Sequence, residues 1–357
     1  DPDVAYPHVA ALMLPGSGHA FCSGTLISPE CVLTAGHCVD GLSYRSGARR
    51  SPSLMLGGAA LPFRADCGGP QKKAAASLEV HAFSKADVLL HPAFFDDAGM
   101  PSAADLAVVR LRKRSKVRPA PVDLQRDIEE ASPDATVVGF GVSDAKTGYA
   151  PCTVHAAKVP LHSAAECDAM PYGRTDCATE CRRMICAGEP TTTDGDYWEH
   201  DPSEAGKDAC SGDSGGPLFS AAGALVGVTS YGPQVCGFGD PAKYVRLSSK
   251  RQKRWLRELK ASGLCGSIKG LKPARKEADA RAAVLLEPLP ELFAYMLPIF
   301  TFEFRCAGQA GAGFETVYLQ GGDRRVVRLS ELCAAADAAV IIKVNPYQVR
   351  PRGAGKG

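Results

Sequence analysis

At 357 residues the chain is too long for one ordinary hydrophobic core, and it has room for a domain of about 250 residues beside a smaller one. Its 41 basic and 39 acidic residues are interspersed and leave a net charge of +2, so no global field argues for nucleic acid or a membrane surface; the 45% of hydrophobic residues excludes a disordered chain. The 14 cysteines are scattered rather than grouped as zinc knuckles, which fits a disulfide framework made in an oxidising, secreted or periplasmic, place.

In chain order, Tyr6 to Leu14 carries β-branched and apolar residues and reads as a strand, and Pro15-Gly16-Ser17-Gly18 turns it back into a strand from Phe21. The stretches 21–28 and 32–34 are strand-like and lead to Gly36-His37-Cys38, with Cys22 and Cys38 bracketing the histidine strand. Residues 41–76 read as surface loops, because Gly57-Gly58 and Gly68-Gly69 break weak apolar runs. Cys31 and Cys67 are available to pair with each other, a choice the sequence leaves open. In the stretch Val88 to Phe94, His91 reads as a structural or surface residue rather than a catalytic one. Asp96 and Asp97 read as solvated loop charges, whereas Asp105 stands at the mouth of the apolar strand Leu106 to Val109.

Residues 115–133 turn basic, proline-rich and then acidic, as a crossing between two halves of a fold would. Further strands follow at 136–141 and 154–161, and together they predict an all-β fold: two packed antiparallel barrels of about six strands each, with a site in the cleft between them. Cys177 and Cys181 are close enough in sequence for a local bridge. The insertion 188–206 carries Asp194, Asp196, Glu199, Asp201 and Glu204; a calcium site and a solvated acidic loop both fit, and the spacing, which matches no calcium loop, favours the loop.

Lys207-Asp208-Ala209-Cys210-Ser211-Gly212-Asp213-Ser214-Gly215-Gly216-Pro217 is the centre of the chain. Its glycines let the backbone turn tightly about Ser214, so that N–H groups beside the hydroxyl can converge on one point. A serine hydroxyl becomes a nucleophile when a base takes its proton and a third group holds that base, and His37 and Asp105 are the candidates. Residues 225–232 and 241–245 then read as strands, and Ser248 to Ala261 as a helix with Trp255, Leu256 and Leu259 at helical spacing. Residues 263–283 read as a linker and 284–357 as a small β-rich module, with strands near 300–306, 315–319, 325–329 and 339–344. Cys306 and Cys333 could staple this module, either a binding accessory or a stabilising extension, and the tail from Arg350 reads as disordered. Its most apolar run, 284–304, is broken by Pro288, Pro290 and Pro298 and carries Glu287, Glu291 and Glu303, so no membrane span is expected.

With these motifs, in the order His37, Asp105, Ser214, residues 4–262 resemble the chymotrypsin/trypsin family of serine proteases. The resemblance implies a chymotrypsin-like fold with His37 as base, Asp105 as its holder and Ser214 as nucleophile, and an oxyanion hole made by the N–H groups of Gly212 and Ser214. It pairs Cys22 with Cys38, Cys167 with Cys186 and Cys210 with Cys236, and leaves Cys152 and Cys265 unassigned. Asp208 matches the floor of the family's primary pocket, lined further by Ala209, Ser230, Tyr231, Gly232 and Ala242, and implies cleavage after Arg or Lys. Tyr231 replaces the family's usual tryptophan, and Ala242 stands where trypsins have glycine. Polypeptide substrates and protein inhibitors are the implied partners, with no cofactor and no metal.

The alternative is a catalytically silent homologue acting as a binding protein. Such homologues usually lose a triad member or the oxyanion glycine, and neither is lost here. The family is activated by a cleaved amino terminus that pairs with the aspartate beside the nucleophile, here Asp213. The chain opens Asp1-Pro2-Asp3, with neither that end nor a leader, so a truncated, zymogen-like protein is expected, its Asp213 turned to solvent and its Gly212 turn poorly ordered.

Overall fold

The structure, a computed structural model, describes residues 6–14, 19–40, 51–58, 60–61, 78–94, 103–124, 128–144, 148–169, 183–189, 206–233, 236–266 and 268, and four strands beyond them. The chain divides into two compact units, 1–272 and 273–357. Residues 263–272, expected to open a linker, therefore fall in the first unit, where Cys265 and Ile268 are fully buried.

The first half of unit 1 is a seven-stranded antiparallel sheet. Its strands are β1 (Val9–Met13), β2 (Ala20–Ser28), β3 (Cys31–Thr34), β4 (Ser53–Leu56), β5 (Glu79–Ala82), β6 (Val88–Leu90) and β7 (Ala107–Arg110), in the spatial order β5-β4-β1-β2-β3-β7-β6. Every residue of β1 and β3 is buried, because these strands are covered on both faces. Six strands were expected. β5 and β6 lie at opposite edges of the sheet, and the chain between them turns at a 3₁₀ element, Lys85–Asp87, where the Asp87 carboxylate accepts from the Ser84 N–H (2.8 Å) and hydroxyl (2.9 Å). β4 lies in a stretch read as loop, since Leu54-Met55-Leu56 is too short beside its glycines to carry a strand pattern.

The second half is a closed six-stranded barrel formed by β8 (Asp134–Gly139), β9 (His155–His162), β10 (Met184–Ala187), β11 (Pro217–Ser220), β12 (Leu225–Tyr231) and β13 (Ala242–Arg246), around a core that includes Val137, Val159, Ile185, Leu218 and Tyr244. Short helices α1 (His37–Asp40), α2 (Ile128–Ala131) and α3 (Ala164–Ala169) punctuate the strands, and α4 (Lys250–Ala261) closes the unit. The apolar stripe of α4, Trp255, Leu256 and Leu259, is buried, each side chain contributing on the order of 2 kcal/mol. Trp255 packs edge-on against His91, with ring centroids 4.8 Å apart, and Gln252 Nε2 donates to the Ala103 carbonyl (3.1 Å), tying the helix to the loop that leads into Asp105.

Disulfides join Cys22 to Cys38, Cys167 to Cys186 and Cys210 to Cys236. Cys31 is bonded to Cys265 rather than to Cys67: the start of β3 lies against the chain leaving α4, with Cys31 Sγ 3.6 Å from the Leu264 carbonyl. Cys152 is also disulfide-bonded. Cys67, Cys177, Cys181, Cys333 and the acidic residues 194–204 lie outside the described residues. In unit 2, β14 (Ala283–Leu286) pairs with β16 (Arg325–Arg328), and β15 (Ile299–Cys306) with β17 (Val340–Tyr347), both antiparallel; the stretch 315–319 is outside the described residues. No described helix is long and apolar enough to cross a membrane.

Candidate active site

His37 opens α1 directly after β3, and Asp105 sits just ahead of β7, β3's antiparallel neighbour, where Thr34 lies opposite Ala107. Strand pairing therefore delivers the two residues to one sheet end. Asp105, only 4% exposed, holds His37 at two points: Oδ1 accepts the backbone N–H (2.9 Å) and Oδ2 meets Nδ1 (2.7 Å). A third donor comes from the other barrel, the Ser230 hydroxyl at 2.7 Å from Oδ2. With Nδ1 engaged by the carboxylate, Nε2 is the nitrogen left to accept a proton.

Ser214 reaches the same place through its backbone. Its carbonyl accepts the Ser23 N–H of β2 (2.8 Å) and lies 3.5 Å from Cys38 Sγ, which in turn is 3.8 Å from His37 Nε2. Among the described residues no hydrogen bond joins Ser214 Oγ to Nε2. Such nucleophile–base contacts commonly tighten only when substrate is seated.

The turn around Ser214 needs glycine: Gly212 has φ +98° and Gly215 φ +79°, both in the left-handed region. Within it Asp213 N–H donates to Cys210 (2.9 Å), Gly215 N–H to Thr229 (2.8 Å) and Gly216 N–H to Asp213 (2.8 Å). The N–H groups of Gly212 and Ser214 donate to no described residue. Two free amide donors thus flank the candidate nucleophile, as an oxyanion hole requires.

Asp213 differs from the expectation. Its carboxylate turns inward, Oδ1 accepting from Gly141 N–H (2.9 Å) and Oδ2 from Cys210 N–H (2.9 Å), and the absence of side chains at Gly139 and Gly141 leaves it the space. Burial pushes this carboxyl up to about 6, against those two bonds. The Gly212 turn is braced from the first sheet, where the buried Ser23 hydroxyl donates to the Gly212 carbonyl (2.9 Å) and accepts from Phe140 N–H (3.1 Å).

Asp208 lies behind this turn. It accepts from the N–H groups of Ala209 (2.8 Å) and Ala242 (3.1 Å), and burial pushes its carboxyl up to about 7, opposed by those bonds and by the charge of Lys243. Lys243 is itself buried, donating from Nζ to the Pro241 carbonyl (3.1 Å). Gly188 borders the carboxylate on one side, and the Cys210–Cys236 bond ties the segment to the turn after β12. Tyr231 is 46% exposed, and Gly232 runs against Ala242.

Ser230, expected to line the substrate pocket, also turns its hydroxyl onto Asp105, a role not foreseen; Ser23 and Lys243 were not foreseen as site residues. All three sit in almost wholly buried strands whose sequence carries no mark of what their side chains meet. His91 is structural: it is buried, accepts Ala93 N–H at Nδ1 (3.1 Å), and is pushed down to about 3 by burial and the Arg251 charge. The side chains of Cys22, His37 and Cys38 cluster as metal ligands might, but both sulfurs are spent in a disulfide and offer no thiolate.

Residues 2–256 match the trypsin family model. The chain is 30% identical over 248 residues to a trypsin from Saccharopolyspora erythraea, covering 68% of this chain and 89% of that one. It is also 30% identical over 254 residues to brachyurin from Leptuca pugilator, with the same coverage, and 29% identical over 248 residues to human kallikrein-2, covering 69% of this chain and 82% of the relative. Among solved structures, neuropsin, a serine protease expressed in the limbic system of mouse brain, superposes with a TM-score of 0.51 at 23% identity, covering 72% of this chain and 95% of that one, which shows the chymotrypsin-like fold.

Proposed function

The chain belongs to the trypsin family, and from that premise we propose that it is a secreted serine endopeptidase that cleaves peptide bonds after Arg or Lys. The observation that carries the reading is the buried Asp105 carboxylate gripping His37 at both backbone and ring. In this mechanism Ser214 Oγ attacks the peptide carbonyl carbon as its proton passes to His37 Nε2, and Asp105 stabilises the resulting imidazolium. The carbonyl oxygen takes the negative charge and is met by the N–H groups of Gly212 and Ser214; losing one such donor typically costs about 100-fold or more. Collapse breaks the C–N bond, and Nε2 returns its proton to the leaving amine. Water then repeats the sequence on the acyl-enzyme and releases the acid.

Asp208 supports the specificity. A carboxyl that burial holds near neutrality gains most from a cationic partner, and a substrate guanidinium or ammonium would supply one. Ala209 lacks a hydroxyl to help solvate an ammonium, which favours Arg over Lys, while the Ala242 methyl narrows the pocket. Protein inhibitors would occupy the same pocket. The disulfides support an oxidising, extracytoplasmic location.

Asp213 supports zymogen activation: its inward carboxylate would pair with an amino terminus freed by cleavage, and active-site titration of this chain against one extended upstream and processed tests that step. Residues 284–357, which lie within the second compact unit, are read as a β-rich accessory module.

The decisive experiment is labelling with a fluorophosphonate probe, beside peptide-ester turnover, in the wild type and Ser214→Ala. The wild type should label and the variant should lose about 10⁴-fold or more in turnover with its fold intact. Comparable turnover in the variant would sink the assignment and leave the silent-homologue reading.

A further inference from the structure

On the first sheet a cleft of about 730 Å³ opens between β5 and the segment 112–118, and none of its lining residues belongs to the triad or its pocket. Three features of this cleft bear on what it takes. The first is charge. Arg112, Lys113, Arg114, Lys116 and Arg118 all line it. Arg112 is paired with Asp87 (2.6 Å) and Arg114 with Glu30 (2.7 Å), while the one lining carboxylate, Glu79, accepts Lys116 N–H (2.8 Å) and meets His81 (3.0 Å). Lys113, Lys116 and Arg118 are exposed, and no described carboxylate lies within ion-pair distance of their side chains.

The second feature is apolar. Val80 is 48% exposed and stands in the cleft with Leu78 and Val117. The third is backbone. β5 pairs with β4 on one side only and ends the order of the sheet, so among the described residues its outer N–H and C=O groups meet no strand. Such an edge is a template for another strand.

We propose that this cleft is a docking site for an extended acidic polypeptide, which adds to β5 as a strand with carboxylates toward Lys113, Lys116 and Arg118 and apolar side chains against Val80. The period of two along a strand puts those two kinds of side chain on opposite faces. A sulfated glycan matches the charge but has neither apolar side chains for Val80 nor a backbone repeat of N–H and C=O groups to pair with the edge. The site lies apart from the proposed protease chemistry and serves to recruit a protein partner rather than to turn it over.

The test is fluorescence polarisation of an acetylated, labelled peptide that alternates Glu or Asp with Val or Leu, titrated with the full chain. Binding should saturate and weaken as salt is raised. It should fall about ten-fold or more in the Lys113→Glu/Lys116→Glu/Arg118→Glu variant, whose turnover of a small ester stays unchanged and so reports an intact fold. The same peptide with alternate amides N-methylated should lose affinity, because it cannot pair with the edge. No binding of the peptide, or equal binding by the charge-reversed variant, overturns the proposal. Equal affinity of the N-methylated peptide refutes strand addition, and binding of a sulfated oligosaccharide where the peptide fails assigns the cleft to glycans and ends the polypeptide reading.

Discussion

Asp208 is where a change of pH should act most directly on ligand binding. Burial lifts its carboxyl from 3.8 to about 7, so ionising it without a cationic partner is disfavoured by at most about 4 kcal/mol. Above about pH 7 the group is ionised and ready for a cation; below that value a cationic ligand must first displace a proton. The affinity of a small aryl amidinium should therefore be flat above about pH 8 and fall by up to about ten-fold per pH unit below about 7, reaching roughly 100-fold weaker near pH 5. The assay is the amidinium inhibition constant against ester turnover at constant ionic strength. Inhibition constants report pocket binding and so separate Asp208 from protonation of His37. Asp208→Asn should bind weakly at every pH with no slope. Folding gives an independent check of sign: a carboxyl raised in the folded state contributes most stability below about pH 4 and loses it as pH rises through 7, so Asp208→Asn should be the more stable protein near pH 8. An amidinium constant that stays level from about pH 5 to 9, or an Asn variant that keeps the slope, refutes the pocket assignment.

Ser230→Ala removes the hydroxyl that donates to Asp105 Oδ2 and should lower kcat by about 10- to 100-fold with little change in KM, measured by steady-state kinetics on a peptide ester; an unchanged kcat would show that His37 needs no such support. Ser23→Ala leaves the Gly212 carbonyl and Phe140 N–H unpaired where β2 meets the nucleophile turn; it should cost about 2 kcal/mol in denaturant melts and reduce the fraction of active sites that titrate, and a variant with wild-type titre would deny Ser23 any part in setting the turn. A chain cut after Lys272 keeps the Cys31–Cys265 bond and every element of the site, so small-ester turnover should stay within about two-fold of the full chain; a folded product without turnover would mean that the second unit completes the site.

Local chemistry was legible along the chain. Apolar, strand-like runs marked β1, β2, β7, β8, β9 and β12, helical spacing marked α4 with its buried Trp255, Leu256 and Leu259, and the glycines around Ser214 announced a tight turn that the left-handed Gly212 and Gly215 now occupy. The order of His37, Asp105 and Ser214 was likewise enough to suggest the family, because each sits at the end of a readable element. What remained hidden was non-local. Cys31 had a partner in Cys265, 234 residues away, because the chain leaving α4 is brought back onto the start of β3; no spacing rule records that return. Ser230 was placed only along the substrate pocket, and the packing of the two halves is what turns its hydroxyl onto Asp105; Asp213, expected to face water, found two backbone donors at Gly141 and Cys210. A strand's period says which face a side chain takes, whereas the neighbour on that face is chosen by how the sheets curl and close, and only the folded chain makes that choice.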